Sequence, residues 1–135
     1  MLKYLLILAT LLPFAAFSQD KKDDLMTIVP NDTANLFNQV KTLLNEEKIK
    51  IDDSSWEKYI FTKDVYVGKY NTPMRFTFKL GKGKIFLVGS FSYTGGSEDI
   101  KRQSGFDVSW KEMDRLANKL GTVTYSRGKK EFTKL

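Results

Sequence analysis

Apolar and polar positions along the chain change period several times, and each change marks an element. Leu36, Phe37, Val40, Leu43 and Leu44 recur at three- and four-residue spacings, which predicts a helix over about 33–47 with one apolar face. Asn31, Asp32 and Thr33 are candidate N-caps for it, because short polar side chains accept from the free N–H groups of a first turn. Upstream, Leu25-Met26-Thr27-Ile28-Val29 is a β-prone run ended by Pro30. Downstream the period falls to two. Met74, Phe76, Phe78 and Leu80 alternate with Arg75, Thr77 and Lys79, and Ile85, Leu87, Gly89, Phe91 and Tyr93 alternate with Phe86, Val88, Ser90 and Ser92. Each of these strands therefore has one apolar face. Gly81-Lys82-Gly83 between them can take positive φ, which predicts a tight antiparallel hairpin. Two further strands are expected before it, over 49–53 with extension toward Trp56, and over 59–66.

Residues 94–105 are polar and follow neither period, so a long loop is expected there. A second helix follows. Ser109 and Glu112 have capping-box spacing, Val108 can staple onto Met113, and Trp110, Met113, Leu116, Ala117 and Leu120 make its buried stripe. Gly121 stands where a left-handed C-terminal residue is preferred. Thr122-Val123-Thr124-Tyr125 then reads as a last strand, and residues 128–135 as a basic tail. The expected order is β-α-β-β-β-β-α-β. Strand runs interrupted by two amphipathic helices define an α+β domain, an antiparallel sheet of about five strands carrying both helices on one face. Phe86, Val88 and some of Phe61, Tyr66 and Val67 are expected on the opposite face.

The N-terminus adds a destination. Lys3 precedes an uncharged apolar run over 4–17, and Ala16-Phe17-Ser18 offers small side chains at the positions a signal peptidase reads. A membrane anchor is the competing reading, but a spanning helix needs about 20 apolar residues, and this run contains Pro13 and stops at a charged stretch. Residues 1–18 are expected to be a cleaved signal peptide, 19–24 a flexible leader and 25–127 one domain. The chain has no cysteine, hence neither disulfides nor a lipidated cysteine, and an exported, soluble product in the periplasm or medium is expected rather than an integral membrane protein.

The element order, the short mature length and the apolar N-terminus resemble the small exported bacterial α+β domains of unknown function whose sheet is described as TATA-binding-protein-like. The resemblance is one of topology across residues 25–127. It implies a curved antiparallel sheet with helices on one side and carries no activity, because one fold hosts many functions.

Candidate chemistry is narrowed by absence. The chain has no histidine as well as no cysteine, which removes Ser-His-Asp and Cys-His nucleophile systems, thiol redox chemistry and the common zinc, copper and iron ligand sets. No cofactor or metal site is expected. Asp52, Asp53 and Glu57 are the best carboxylate cluster, but neighbouring residues of a strand point to opposite faces. Gly95-Gly96-Ser97 with Lys101 and Arg102 could form an anion-binding concavity, or only a linker. A formal charge of +6 favours anionic surfaces. The basic residues are mostly lysine, with arginine only at 75, 102, 115 and 127, and nucleic acid is not the expected partner.

Aromatics are dense in the strand region, at Trp56, Tyr59, Phe61, Tyr66, Tyr70, Phe86 and Tyr93, with Lys58, Lys63, Lys69 and Lys84 interleaved. Such a platform suits stacking and cation attraction; the alternative is that these rings pack on one another. The expected function is a non-catalytic exported domain binding an envelope protein or polysaccharide, through Phe61, Tyr66 and Phe86 on the sheet and Lys101 and Arg102 in the 94–105 loop. A carboxylate-dependent hydrolase or an inhibitor of an envelope enzyme is one alternative. A structural subunit paired through an edge strand is another.

Overall fold

The computed structural model of the chain describes residues 22–66, 72–102 and 108–132. The expected signal peptide, the first half of the expected leader, Val67, Lys69 and Tyr70, and residues 103–105 and 133–135 of the expected loop and tail lie outside these residues. The elements are β1 (Leu25–Val29), α1 (Leu36–Glu46), β2 (Tyr59–Phe61), β3 (Met74–Gly81), β4 (Lys84–Tyr93), β5 (Gly96–Asp99), α2 (Val108–Leu120), β6 (Thr122–Ser126) and a last short turn of helix, α3 (Lys129–Phe132). The fold is α+β, with a curved, open antiparallel sheet, and its main elements follow the expected order.

Across the sheet the strands run β2-β3-β4-β1-β6, with β5 alongside β4. β4 organises this arrangement. One of its edges pairs with β3 from Lys84 to Phe91, while the other is shared, β1 taking Ile85 to Leu87 and β5 taking Ser90 to Tyr93. The β3–β4 connection is the expected tight hairpin: Gly81 faces Lys84, and Lys82 and Gly83 have φ of 54° and 72°, the positive pair that a type I′ turn requires.

The apolar faces meet as the alternation predicts. Met74, Phe76, Phe78 and Leu80 of β3, Ile85 and Leu87 of β4, and Met26 and Ile28 of β1 form one cluster with Val40, Leu43 and Leu44 of α1 and Trp110, Met113, Leu116 and Ala117 of α2. A salt-bridge group joins the two helices on their solvent side. Glu47 binds Arg115 at 2.9 Å and Lys119, and Arg115 also binds Glu112. These hydrogen bonds, first from Arg115 and then from Lys119, hold the Glu47 carboxyl down at about 2, well below its ordinary 4.5. A depressed folded-state value stabilises the fold above the unfolded-state value and ceases to do so as the folded form is protonated. The stability difference between the protein and its Glu47→Gln variant should therefore be full above pH 5 and shrink steadily between about 4.5 and 2. Urea midpoints measured at intervals across that range check it; a difference independent of pH would contradict it.

Several boundaries differ from expectation, each for a local reason. α1 begins at Leu36, because Asp32 accepts from the Ala34 N–H in a turn of its own and Asn35 takes a left-handed φ of 55° with no side-chain cap. At its other end the Lys48 N–H donates to Asn45 O and the Ile49 N–H to Leu44 O, with Lys48 at φ 59°. This is a Schellman closure with lysine where glycine is favoured. Lys48→Gly is expected to stabilise the protein by about 1 kcal/mol, seen as a higher urea midpoint; no gain would mean that the bend is not strained.

The strand expected over 49–53 is reduced to a bridge between Ile51 and Thr62, and β2 is only three residues long. The described part of the expected loop, residues 94–102, is not continuous loop. It contains β5, followed by the fully buried Ile100, and so brings the strand count to six. Val108 is already helical, which places Ser109 inside the first turn of α2 rather than at its cap, and Glu112 binds Arg115 instead of reaching back. Gly121 is not left-handed. It is needed for close approach: a Cβ there would stand 2.3 Å from Val29 O and 2.7 Å from Pro30 Cα.

No helix among the described residues is long and apolar enough to cross a membrane.

Candidate functional site

The second face of the sheet is built from the residues the alternation leaves over. Pairing register lines them up in rows. Tyr59, Lys79, Phe86, Thr27 and Thr124 stand side by side across five strands, Phe61, Thr77 and Val88 form the next row, and Arg75, Ser90 and Asp99 the one after. Toward β2 this face is aromatic. Tyr59 and Phe61 stack with centroids 5.9 Å apart and ring planes 3° apart, and Trp56, which is 51% exposed, lies 5.3 Å from Tyr59.

Residues read as a basic tail cover part of this face. Phe132 is only 6% exposed and packs with Leu25 and Val88, with Tyr59 and Phe86 against their rim. A single helical turn has no stability of its own, and α3 is fixed at both ends by charge. The Asp24 carboxylate accepts from the N–H groups of Gly128 at 2.8 Å and Lys129 at 3.1 Å. At the other end the Lys79 ammonium donates to Phe132 O at 2.9 Å. An anion at the start and a cation at the finish complement the helix dipole. Lys79 is 8% exposed, an unusual state for an ammonium. Besides the Phe132 carbonyl, the faces of Tyr59 and Phe132 receive it, 5.5 and 5.8 Å from Nζ to the ring centroids. Lys129 completes the attachment by pairing with Asp99 of β5.

Docked in this way, α3 forms one wall of a groove of about 320 Å³, within the size range of small-ligand sites. Tyr59, Phe61 and Phe132 are its aromatic lining. Thr77, Val88, Gly89 and Ser90 form its floor, and Arg75 and Lys129 are its charged residues. Arg75 Nε donates to Asp64 at 2.7 Å, and this bond raises the already high pKa of the guanidinium. Neither Asp64 nor Asp99 belongs to the lining.

The backbone at the aromatic edge is occupied. The Phe61 N–H donates to Ser55 Oγ, Phe61 O accepts from the Asp52 N–H and from Ser55 Oγ, and Tyr59 exchanges both backbone bonds with Trp56. Asp52 is organised by this turn. Bonds from the Ser54 N–H and hydroxyl lower its carboxyl below the ordinary range.

The sequence-derived candidates fall in different places. Phe61 lines the groove. Phe86 shares the face but packs on the Leu25, Val88 and Phe132 cluster outside the lining. Tyr66 is 60% exposed beyond the Val65–Met74 bridge, and Lys101 and Arg102 follow β5, where the Arg102 N–H donates to Asp23 O; none of the three lines the groove. Arg75, Thr77, Ser90, Lys129 and Phe132 line the groove without being among the sequence-derived candidates. For Arg75, Thr77 and Ser90 a signal existed, since they are the polar members of the two alternating strands.

Another cleft, of about 460 Å³, opens between α1 and the end of α2. It is lined among others by Asp32, Asn38, Glu46, Lys119 and Leu120, with no aromatic side chain among the described residues. None of Asp52, Asp53, Glu57, Glu98 and Asp99 lines either cavity. Among the described residues no group of three or more acidic side chains converges on a metal position. No protein-family model matches the chain, and no curated protein matches it.

Proposed function

We propose that the protein is an exported, non-catalytic binding domain whose ligand site is the groove on the outer sheet face, and that the ligand is an envelope polysaccharide. The observation that carries this reading is the lining itself: among the described residues, aromatic side chains from Tyr59, Phe61 and Phe132, the hydroxyls of Tyr59, Thr77 and Ser90, and the cations Arg75 and Lys129 in one open channel. Aromatic faces bind the apolar side of a flat ring, while hydroxyls and cations meet its polar rim. A protein partner is less well served. Extended peptides gain affinity by adding a strand to a free edge, and the outward backbone groups of Tyr59 and Phe61 already have partners in 52–56. Export rests on the sequence pattern of residues 1–18, and the curved sheet with the two long helices α1 and α2 on one side suits the TATA-binding-protein-like domains that the topology resembles.

Phe61→Leu keeps the apolar volume and removes the ring. Capture on immobilised polysaccharide should fall by about tenfold, the loss of a good aromatic contact, with the melting temperature little changed. Phe86→Leu, outside the lining, should bind as the unaltered protein does. Unchanged capture by Phe61→Leu would overturn the assignment.

A further inference from the structure

We infer that the groove selects sugars carrying a negative charge, an acidic polysaccharide rather than a neutral one. This rests on the groove being the polysaccharide site and adds the chemistry of the residue it recognises. Among the described residues both charged members of the lining are cations, Arg75 and Lys129, and no described carboxylate lines it. Their acidic partners, Asp64 and Asp99, each bind one nitrogen from outside the lining. The Arg75 contact is through Nε alone, so the planar fork is held at its base while its terminal amino groups keep N–H donors for a ligand. Such a fork matches a carboxylate or sulfate in two-point geometry.

Register places these cations where a ring lying on the aromatic wall would present its substituent. Arg75 pairs with Ser90, and Ser90 with Asp99, so the Arg75 side chain and the Ser90 hydroxyl belong to one row across the sheet, and Asp99 at the end of that row holds the Lys129 ammonium of α3 beside it. The aromatic row of Phe61, Thr77 and Val88 is its immediate neighbour. The spacing of adjacent rows on one face, about 7 Å along a strand, is the scale of one sugar ring with its charged group.

Four probes separate the possibilities in a titration of the full protein: a short galacturonic acid oligomer, the same oligomer fully methyl-esterified, dextran sulfate, and polyglutamate. Binding of the acid oligomer, falling by about tenfold or more on esterification, is the expected result. Arg75→Gln and Lys129→Met should remove most of that preference, whereas Lys41→Ala, exposed on α1 across the sheet, alters net charge similarly and should not. Binding of dextran sulfate beside the acid oligomer would extend the inference to sulfated sugars, and binding of only one of them would identify the anion. Equal affinity for acid and ester, both weakened by Phe61→Leu, would overturn charge selection and leave the sugar site standing. Polyglutamate bound as tightly as the acid oligomer would overturn the inference in favour of acidic protein. Failure of every sugar to bind would remove the polysaccharide reading itself.

Discussion

Replacing Phe132 with alanine is expected to destabilise the protein by about 3 kcal/mol and to lower its melting temperature by more than about 10 °C. So large an effect from a residue near the end of the chain follows from what the ring covers. It closes a second apolar cluster with Leu25 and Val88, and its face is one of two that receive the Lys79 ammonium. Without the ring, water reaches both, and α3 keeps only its polar attachments to Asp24, Asp99 and Lys79. Lys79→Met separates the contributions. It keeps the stem that fills the site, removes the donor to Phe132 O, and should cost about 1 kcal/mol. Denaturant unfolding measures both. A Phe132→Ala protein as stable as the original would show that α3 does not dock in solution, and the groove would lose a wall.

Gly121→Ala should destabilise by about 3 kcal/mol, and other glycines supply its controls. A Cβ at Gly121 meets backbone, Val29 O at 2.3 Å and Pro30 Cα at 2.7 Å, at the end of β1 that pairs with the start of β6. Backbone cannot rotate aside, so β6 has to shift along β1. At Gly89 the obstacles are side-chain ends, Ile100 Cδ1 at 2.7 Å and Met113 Sδ at 3.1 Å, which can yield in part, and about 1–2 kcal/mol is expected. Gly81 has nothing within 4 Å and no positive φ, so Gly81→Ala should be nearly neutral. The order of urea midpoints, Gly121 lowest and Gly81 highest, checks the account. Equal effects at the three positions would contradict it.

What was legible in the chain was whatever a local period records. The stripes of α1 and α2, the alternation of β3 and β4 and the hairpin between them all follow from residues within one element. β5 carries no such record. Its four residues Gly-Ser-Glu-Asp are all exposed, so the strand exists through backbone pairing with β4 and not through any face it buries. α3 is hidden for a different reason. Lys-Lys-Glu-Phe reads as solvated tail, and the groups that hold it, Asp24 and Lys79, stand 105 and 53 residues away from their partners. Gly121 was read by position as a left-handed cap, whereas its role depends on a chain segment that approaches from β1.

The candidate site divides in the same way. Phe61 could be found from composition and alternation, and Arg75, Thr77 and Ser90 were assigned to outward positions without being recognised as a group. Their meeting with Lys129 and Phe132 is set by register and by the return of the C-terminus over the sheet. The expectation for Lys101 and Arg102 depends on a long loop, and β5 changes that context.

The most direct test of the groove as ligand site is amide mapping by two-dimensional NMR during titration with the galacturonic acid oligomer. The account predicts that the largest shifts fall on Phe61, Arg75, Thr77, Ser90 and Lys129, with α1 and the exposed side of α2 unmoved. Shifts centred instead on Asp32, Asn38, Glu46 and Lys119 would place the site in the cleft between the helices and contradict it.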